Sequence, residues 1–192
     1  MRRFLIMIAL AAVALVATPA FAQDSHDAPA PAEATPQAQK DQIILLLSGY
    51  HYFPTRDKLA AESPNAPQIL IGIAEEASNL PSLRIQAIRA LGLFADDAVA
   101  ATWFEARLAE GRLPEDLLRH TLTASLRGFG ERALPWVEPY LGHPDPQVRM
   151  SAIHAIGSLA GENGRLVLEA RRDMEVDVQA LHDMDRFIRP DR

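Results

Sequence analysis

Six histidines, at positions 26, 51, 120, 143, 154 and 182, are the side chains best suited to hold a metal ion or move a proton near neutral pH. No two of them have the His-Glu-x-x-His spacing or another paired spacing with metal-ligand logic. His143 precedes Pro144-Asp145 and His182 precedes Asp183, positions that solvated surface residues explain, so no metal site is expected. The chain has no cysteine, which removes thiolate ligands, thiol nucleophiles and disulfides together. No Gly-x-Ser-x-Gly nucleophile elbow occurs. Gly157, Gly161 and Gly164 do not make a dinucleotide fingerprint, and no strand-like segment precedes them. Carboxylates are plentiful but scattered. Asp96-Asp97 and Glu115-Asp116 fall at expected helix starts, where negative charge offsets the macrodipole. These residues lead to expectations of no catalytic residue, no cofactor and no enzymatic activity.

A different chemistry, that of recognition, is carried by aromatic and guanidinium groups. Aligning Leu108 with Leu141 pairs Phe104 with Val137, Trp103 with Trp136 and Arg107 with Tyr140, and places Ile69 and Ile73 in the same rows. If Phe104, Val137, Leu108 and Leu141 face a core, Trp103 and Trp136 point partly away from it. They would then form a semi-exposed aromatic patch flanked by Arg107 and Tyr140. Trp, Tyr and Arg are enriched where binding energy concentrates, so these four residues are the expected partner-binding set. The alternative is that both tryptophans pack between helices and contact no partner.

The elements that would position such a row are helices. From Asp41 onward apolar residues recur at three- and four-residue steps, with no run of alternation long enough for a strand. Asn65-Ala66-Pro67, Leu80-Pro81, Leu113-Pro114 and Asp145-Pro146 place proline near helix starts, where its missing N–H is not needed. Asp145 reads as an N-cap, and Gly111, Gly142 and Gly161 as helix stops. Residues 83–92, 118–127 and 148–157 align on one pattern. Each begins with an apolar residue followed by arginine (Arg84, Arg119, Arg149) and returns apolar three and seven positions later. Each is followed by a second helical stretch, at 98–109, 132–141 and 165–171. A looser pair spans 43–50 and 67–76, and 175–184 reads as a half repeat that caps the series. One helix pair every 30 to 35 residues is the mark of a solenoid.

On these residues the chain resembles the HEAT-repeat superfamily, in the short form also seen in phycobilisome-lyase-like HEAT repeats. Asp145-Pro146-Gln147-Val148-Arg149, Ala152-Ile153 and Ala155-Ile156-Gly157 carry the resemblance best. Residues 82–92 match it well; 117–127 depart from it, because Arg127 stands where the other repeats have Gly92 and Gly157. The resemblance implies an all-α fold: a short right-handed α-solenoid of about four helix pairs plus a capping helix. It implies that Ala87 and Ala152 allow close helix approach and that Leu91, Leu126 and Ile156 fill the space between layers. It also implies that Arg84, Arg119 and Arg149 tie loops together, with Asp145 positioned for a local pair with Arg149. HEAT arrays mostly bind other macromolecules. Lyase activity belongs to particular members, and no bilin-handling residue carries over to this chain.

The N-terminal residues speak to location. Arg2-Arg3, an apolar run over 4–17, Pro19 and then Ala20-Phe21-Ala22 have the layout of a secretory signal peptide, with cleavage expected after Ala22. The 14-residue apolar run is short of the roughly 20 residues needed to span a bilayer. Cleavage would remove two arginines and no acid, leaving 17 basic and 25 acidic residues and a net charge of −8. Such a chain is repelled by phosphate backbones and by anionic membranes, so neither nucleic acid nor a membrane is an expected partner. Residues 23–40 lack large apolar side chains and are expected to be a disordered Ala/Pro-rich linker, leaving 41–188 as the repeat domain. The combined expectation is a periplasmic or secreted module that holds a protein or peptide. A tethered structural spacer is the next reading, and a lyase-like cofactor-handling protein a more distant one.

Overall fold

The computed structural model describes residues 35–49 and 53–189. The expected signal peptide, 1–22, and residues 23–34 of the expected linker lie outside the described residues. The fold begins earlier than the composition indicates. Helix α1, Pro36–Leu47, starts with Thr35 as N-cap, whose Oγ1 accepts from the Ala38 amide at 3.2 Å, and with proline in its first turn. Residues 36–40, expected to extend the linker, are therefore its opening turns. Two contacts hold them: Ser63 donates to Gln39 Oε1 at 2.9 Å, and Lys40 pairs with Glu76 at 3.0 Å. A helix the periodicity did not reveal, α2 at Arg56–Glu62, follows; Thr55 caps it, and it buries only Leu59.

The remaining elements fall close to the expected stretches. They are α3 (Ala66–Glu75), α4 (Pro81–Leu91), α5 (Ala98–Glu110), α6 (Glu115–Phe129), α7 (Leu134–Val137), α8 (Pro146–Leu159), α9 (Gly161–Arg172) and α10 (Val178–Ile188). The described residues are all-helical, with no strand. Asp145 accepts from the Gln147 amide at 2.7 Å, and Pro146 opens α8. Gly111 ends α5 with φ +62°, a left-handed turn that favours glycine. The expected helix over 132–141 is instead a single α-turn, α7, between 3-10 turns at Gly130–Ala133 and Glu138–Gly142. Pro139 has no N–H to donate to Pro135, so the helix cannot propagate.

The helices pack in two rows. Helices α4, α6, α8 and α10 lie each against the next, with α1 against α4. In the second row α3 meets α5, α5 meets α7, and α9 meets the Gly130–Ala133 turn. Between the rows Leu91 and Ile156 are fully buried and Leu126 nearly so, and the small Ala87 and Ala152 are fully buried with them. Burial of each large side chain contributes roughly 1.5–3 kcal/mol. Two of the three repeated arginines are tied to backbone: Arg84 Nε donates to the Ala74 carbonyl at 2.7 Å, and Arg149 Nη1 to the His143 carbonyl at 3.0 Å. The third, Arg119, has a buried Nε with no hydrogen-bond partner, so it does not repeat the tie. Arg149 pairs with Glu175 and not with Asp145, because Asp145 turns its carboxylate onto the first turn of α8. Among the described residues no helix is long and apolar enough to cross a membrane.

Helices α4 and α6 touch through glycine. A Cβ at Gly128 would lie 2.2 Å from the Gly92 carbonyl oxygen, and one at Gly92 would lie 2.8 Å from that of Ala124. Gly72, exposed in α3, has nothing within 4 Å of its Cβ position. The two sites should respond with opposite sign. Gly72→Ala is expected to raise stability by about 0.5–1 kcal/mol, the intrinsic helix preference. Gly128→Ala is expected to lower it by about 1–3 kcal/mol, because a backbone carbonyl cannot step aside. Urea unfolding followed by far-UV circular dichroism measures both, and a stabilised Gly128→Ala would contradict the contact.

Candidate functional site

The four expected partner residues sit on or beside the second row. Helix α5 presents Trp103 and Arg107 one turn apart toward Glu75, the last residue of α3. Trp103 Nε1 donates to Glu75 Oε1 at 2.8 Å, and Arg107 Nε donates to the same oxygen at 2.9 Å. Arg107 Nη1 also donates to Glu110 at 2.7 Å. The Glu75 hydrogen bond, ahead of the Glu110 one, raises the Arg107 pKa. Tyr140 donates to the Leu108 carbonyl at 2.6 Å, and burial pushes its phenol above the ordinary value.

These contacts correct the expectation of a semi-exposed aromatic patch. Trp103 and Tyr140 are each only 7% exposed. Trp136 is partly buried, edge-on to Phe129 at 5.4 Å between ring centroids. Trp103 and Trp136 do belong together, but as the ends of a packed chain of rings. Trp103 meets Phe104 at 5.2 Å, Phe104 meets Phe129 at 5.5 Å, and Phe129 meets Trp136. The alignment set Phe104, Leu108, Val137 and Leu141 toward the core, where they are buried; it left Trp103 and Tyr140 outside, but the buried face is wider than one row and takes them in as well. Arg107 is half-exposed, but its guanidinium is already held by two carboxylates.

Open surface on the second row lies one element further on. Where α7 is cut short, a groove of about 410 Å³ opens between the α7 turns and α9. Pro135, Pro139, Val167, Ala170 and Met174 give it apolar walls. Met174 is 59% exposed, and Leu166, one turn before Ala170, is 49% exposed. Arg171 stands in the same groove, and its Nε is buried without a hydrogen-bond partner. Among the described residues no carboxylate lies within salt-bridge distance of Arg171. A second groove of about 410 Å³, between α3 and α5, is lined by Ile71, Val99, Thr102 and Ala106, with Arg107 at its edge.

The first row carries a cleft of about 480 Å³ between α4 and α6, whose lining includes Arg89, His120 and Arg127. Sequence reasoning did not assemble this cleft. Its one signal was Arg127, the residue that breaks the repeat's glycine. Among the described residues no three His, Asp or Glu side chains are grouped as ligands for a metal ion. No protein-family model matches the chain, and no curated protein or solved structure matches it.

Proposed function

We propose that this protein is a non-catalytic binding module, a short α-solenoid of the HEAT type, that holds a segment of a protein partner in the groove between the α7 turns and α9. The observation that carries the reading is the composition of that groove. Proline and aliphatic walls, with Glu138 on the lining but outside salt-bridge distance, surround one guanidinium whose buried Nε has no partner. An unmade hydrogen bond at a buried donor costs roughly 1–3 kcal/mol, and a carboxylate arriving at Arg171 would recover it. The partner segment that fits is apolar with one acidic residue. The two-row packing of α3 to α10 supports a solenoid of stacked pairs, with α10 closing the open side of α8 and α9. Export to the periplasm or beyond rests on residues 1–22, through their charges, apolar run and small residues.

Selection of a random peptide library displayed on phage, against the protein and against Ala170→Trp, tests this. Ala170 is exposed, so tryptophan there fills the groove without entering the core. The expected peptides combine Asp or Glu with two or more large apolar residues. Their synthetic forms should lose at least about tenfold in affinity on Ala170→Trp, and Arg171→Ala should remove the acidic preference. A library that enriches no sequence, or enriches the same ones on Ala170→Trp, would leave the array as a spacer.

A further inference from the structure

The cleft on the first row differs from the groove in chemistry, in position and in what surrounds it. Its floor is Gly92 and Ala124, where α4 and α6 come into backbone contact. Its walls are Phe53 and Leu93 on the apolar side and Arg89, His120 and Arg127 on the polar side, with the Thr123 hydroxyl between. The Arg89 guanidinium lies 4.7 Å over the Phe53 ring and donates to Gln86 at 3.1 Å. Among the described residues no acidic side chain lines the cleft. Among the described residues no carboxylate is within salt-bridge distance of Arg89, His120 or Arg127, although the chain has 25 acidic residues against 19 Lys and Arg.

The molecule contains its own control. Arg89 and His154 occupy the same position of the repeat, as do Gly92 and Gly157. At the later pair the next first-row helix closes the space. Asp183 is hydrogen-bonded to His154 at 2.9 Å, and a Cβ at Gly157 would lie 2.2 Å from the Phe187 ring, so that ring already covers the glycine. At the earlier pair the Ala124 carbonyl of α6 lies over Gly92, and among the described residues no carboxylate pairs with the Arg89 guanidinium beside it. Arg127 adds a second guanidinium at the position where the other repeats have glycine.

We propose that this cleft binds a small organic anion: one carboxylate or phosphate group held by Arg89 and Arg127, on an apolar body lying against Phe53 and Leu93. Guanidinium groups suit planar and tetrahedral oxyanions because their N–H donors form a fixed fork. The small floor leaves depth for a ring or short chain. His120 adds a proton-dependent donor. Burial, then Arg89, then Arg119 lower its pKa, with Asp116 opposing, so the imidazole is mostly neutral in the free protein at neutral pH. An anion among these groups favours the charged ring. Affinity should therefore rise as the pH falls through the range where the complexed His120 gains its proton.

Isothermal titration calorimetry of the protein at low ionic strength provides the test. Benzoate and phenyl phosphate probe the two anion types, benzyl alcohol the ring alone and inorganic phosphate the charge alone. At least one aromatic anion is expected to saturate with Kd below about 1 mM, with both single-feature probes at least about tenfold weaker. Arg127→Ala should weaken the aromatic anion about tenfold, the loss of one charge-assisted hydrogen bond, at an unchanged thermal midpoint because Arg127 is exposed. For benzoate, His120→Gln should flatten the rise in affinity toward about pH 6. Absence of saturation by both aromatic anions, or indifference to Arg127→Ala, overturns the proposal. Equal binding of benzyl alcohol would make the site a plain apolar pocket, and equal binding of inorganic phosphate would remove the apolar body from it.

Discussion

Phe104→Ala is expected to lower the unfolding free energy by about 3–5 kcal/mol, a large part of the total for a domain of this size. Phe104 is fully buried and stands second in the chain of rings, between Trp103 at 5.2 Å and Phe129 at 5.5 Å. Its loss leaves a cavity between α5 and α6 and removes two edge-to-face contacts, each contributing roughly 0.5–1.5 kcal/mol beyond buried area. Phe129 is held on α6 and Trp103 is tied to Glu75 of α3, so little collapse can fill the gap. Urea titration should show a lower midpoint with an unchanged slope, and Phe104→Leu should recover part of the loss. A cost under about 1 kcal/mol would mean that the ring chain does not hold α5 to α6.

Glu175→Ala is the second large effect, and it acts through charge. Glu175 lies between α9 and α10 with its side chain 2% exposed, and Arg149 reaches it from α8 with 12% exposure. The pair is bidentate, at 2.8 and 2.9 Å, and Glu175 Oε1 also accepts from the Val176 and Asp177 amides at 2.9 Å. Removing the carboxylate leaves a largely buried guanidinium and two amides without their acceptor, a loss of about 3–5 kcal/mol. Glu175→Gln keeps an acceptor for the amides and should cost less. Burial alone would push the carboxyl up, but hydrogen bonds from Arg149, Asp177 and Val176 outweigh it, and its pKa lies below the ordinary 4.5. A depressed carboxylate adds stability in full above its unfolded value, and that stability is lost as pH falls through the folded value. Stability measured across the acid range should therefore drop less steeply below about pH 4.5 in Glu175→Gln than in the unaltered protein. Parallel curves would show that the pair is not coupled to folding.

Local signals in the sequence determined much of the architecture. Asp145-Pro146 marks the start of α8 because a capping carboxylate and a proline act within one turn. Leu91, Leu126 and Ile156 recur at one position of α4, α6 and α8, and all three are buried in the core. Helix α2 escaped notice because seven residues with one buried leucine have almost no periodicity, although Thr55 caps them. Thr35-Pro36 is a sound helix start hidden within an Ala/Pro-rich composition. The candidate sites depended on distant contacts. Glu75 captures Trp103 and Arg107 from 28 and 32 residues away, a pairing that no spacing rule anticipates. The α7 groove follows from Pro135 and Pro139 stopping a helix that the repeat pattern extends. Arg127 was visible as an irregularity, and its meaning required Phe53 and Arg89 around it.

The ring chain has a consequence for how the protein can be watched. Both of its tryptophans are in that chain, so intrinsic emission reports only the layer joining α5, α6 and α7. The α8 to α10 end carries no such fluorophore. If the helix pairs stack as a solenoid, as proposed, the two ends can open at different denaturant concentrations. Emission and backbone dichroism are therefore separate clocks in this molecule, and the interval between their transitions measures how far the C-terminal layers unzip before the middle does.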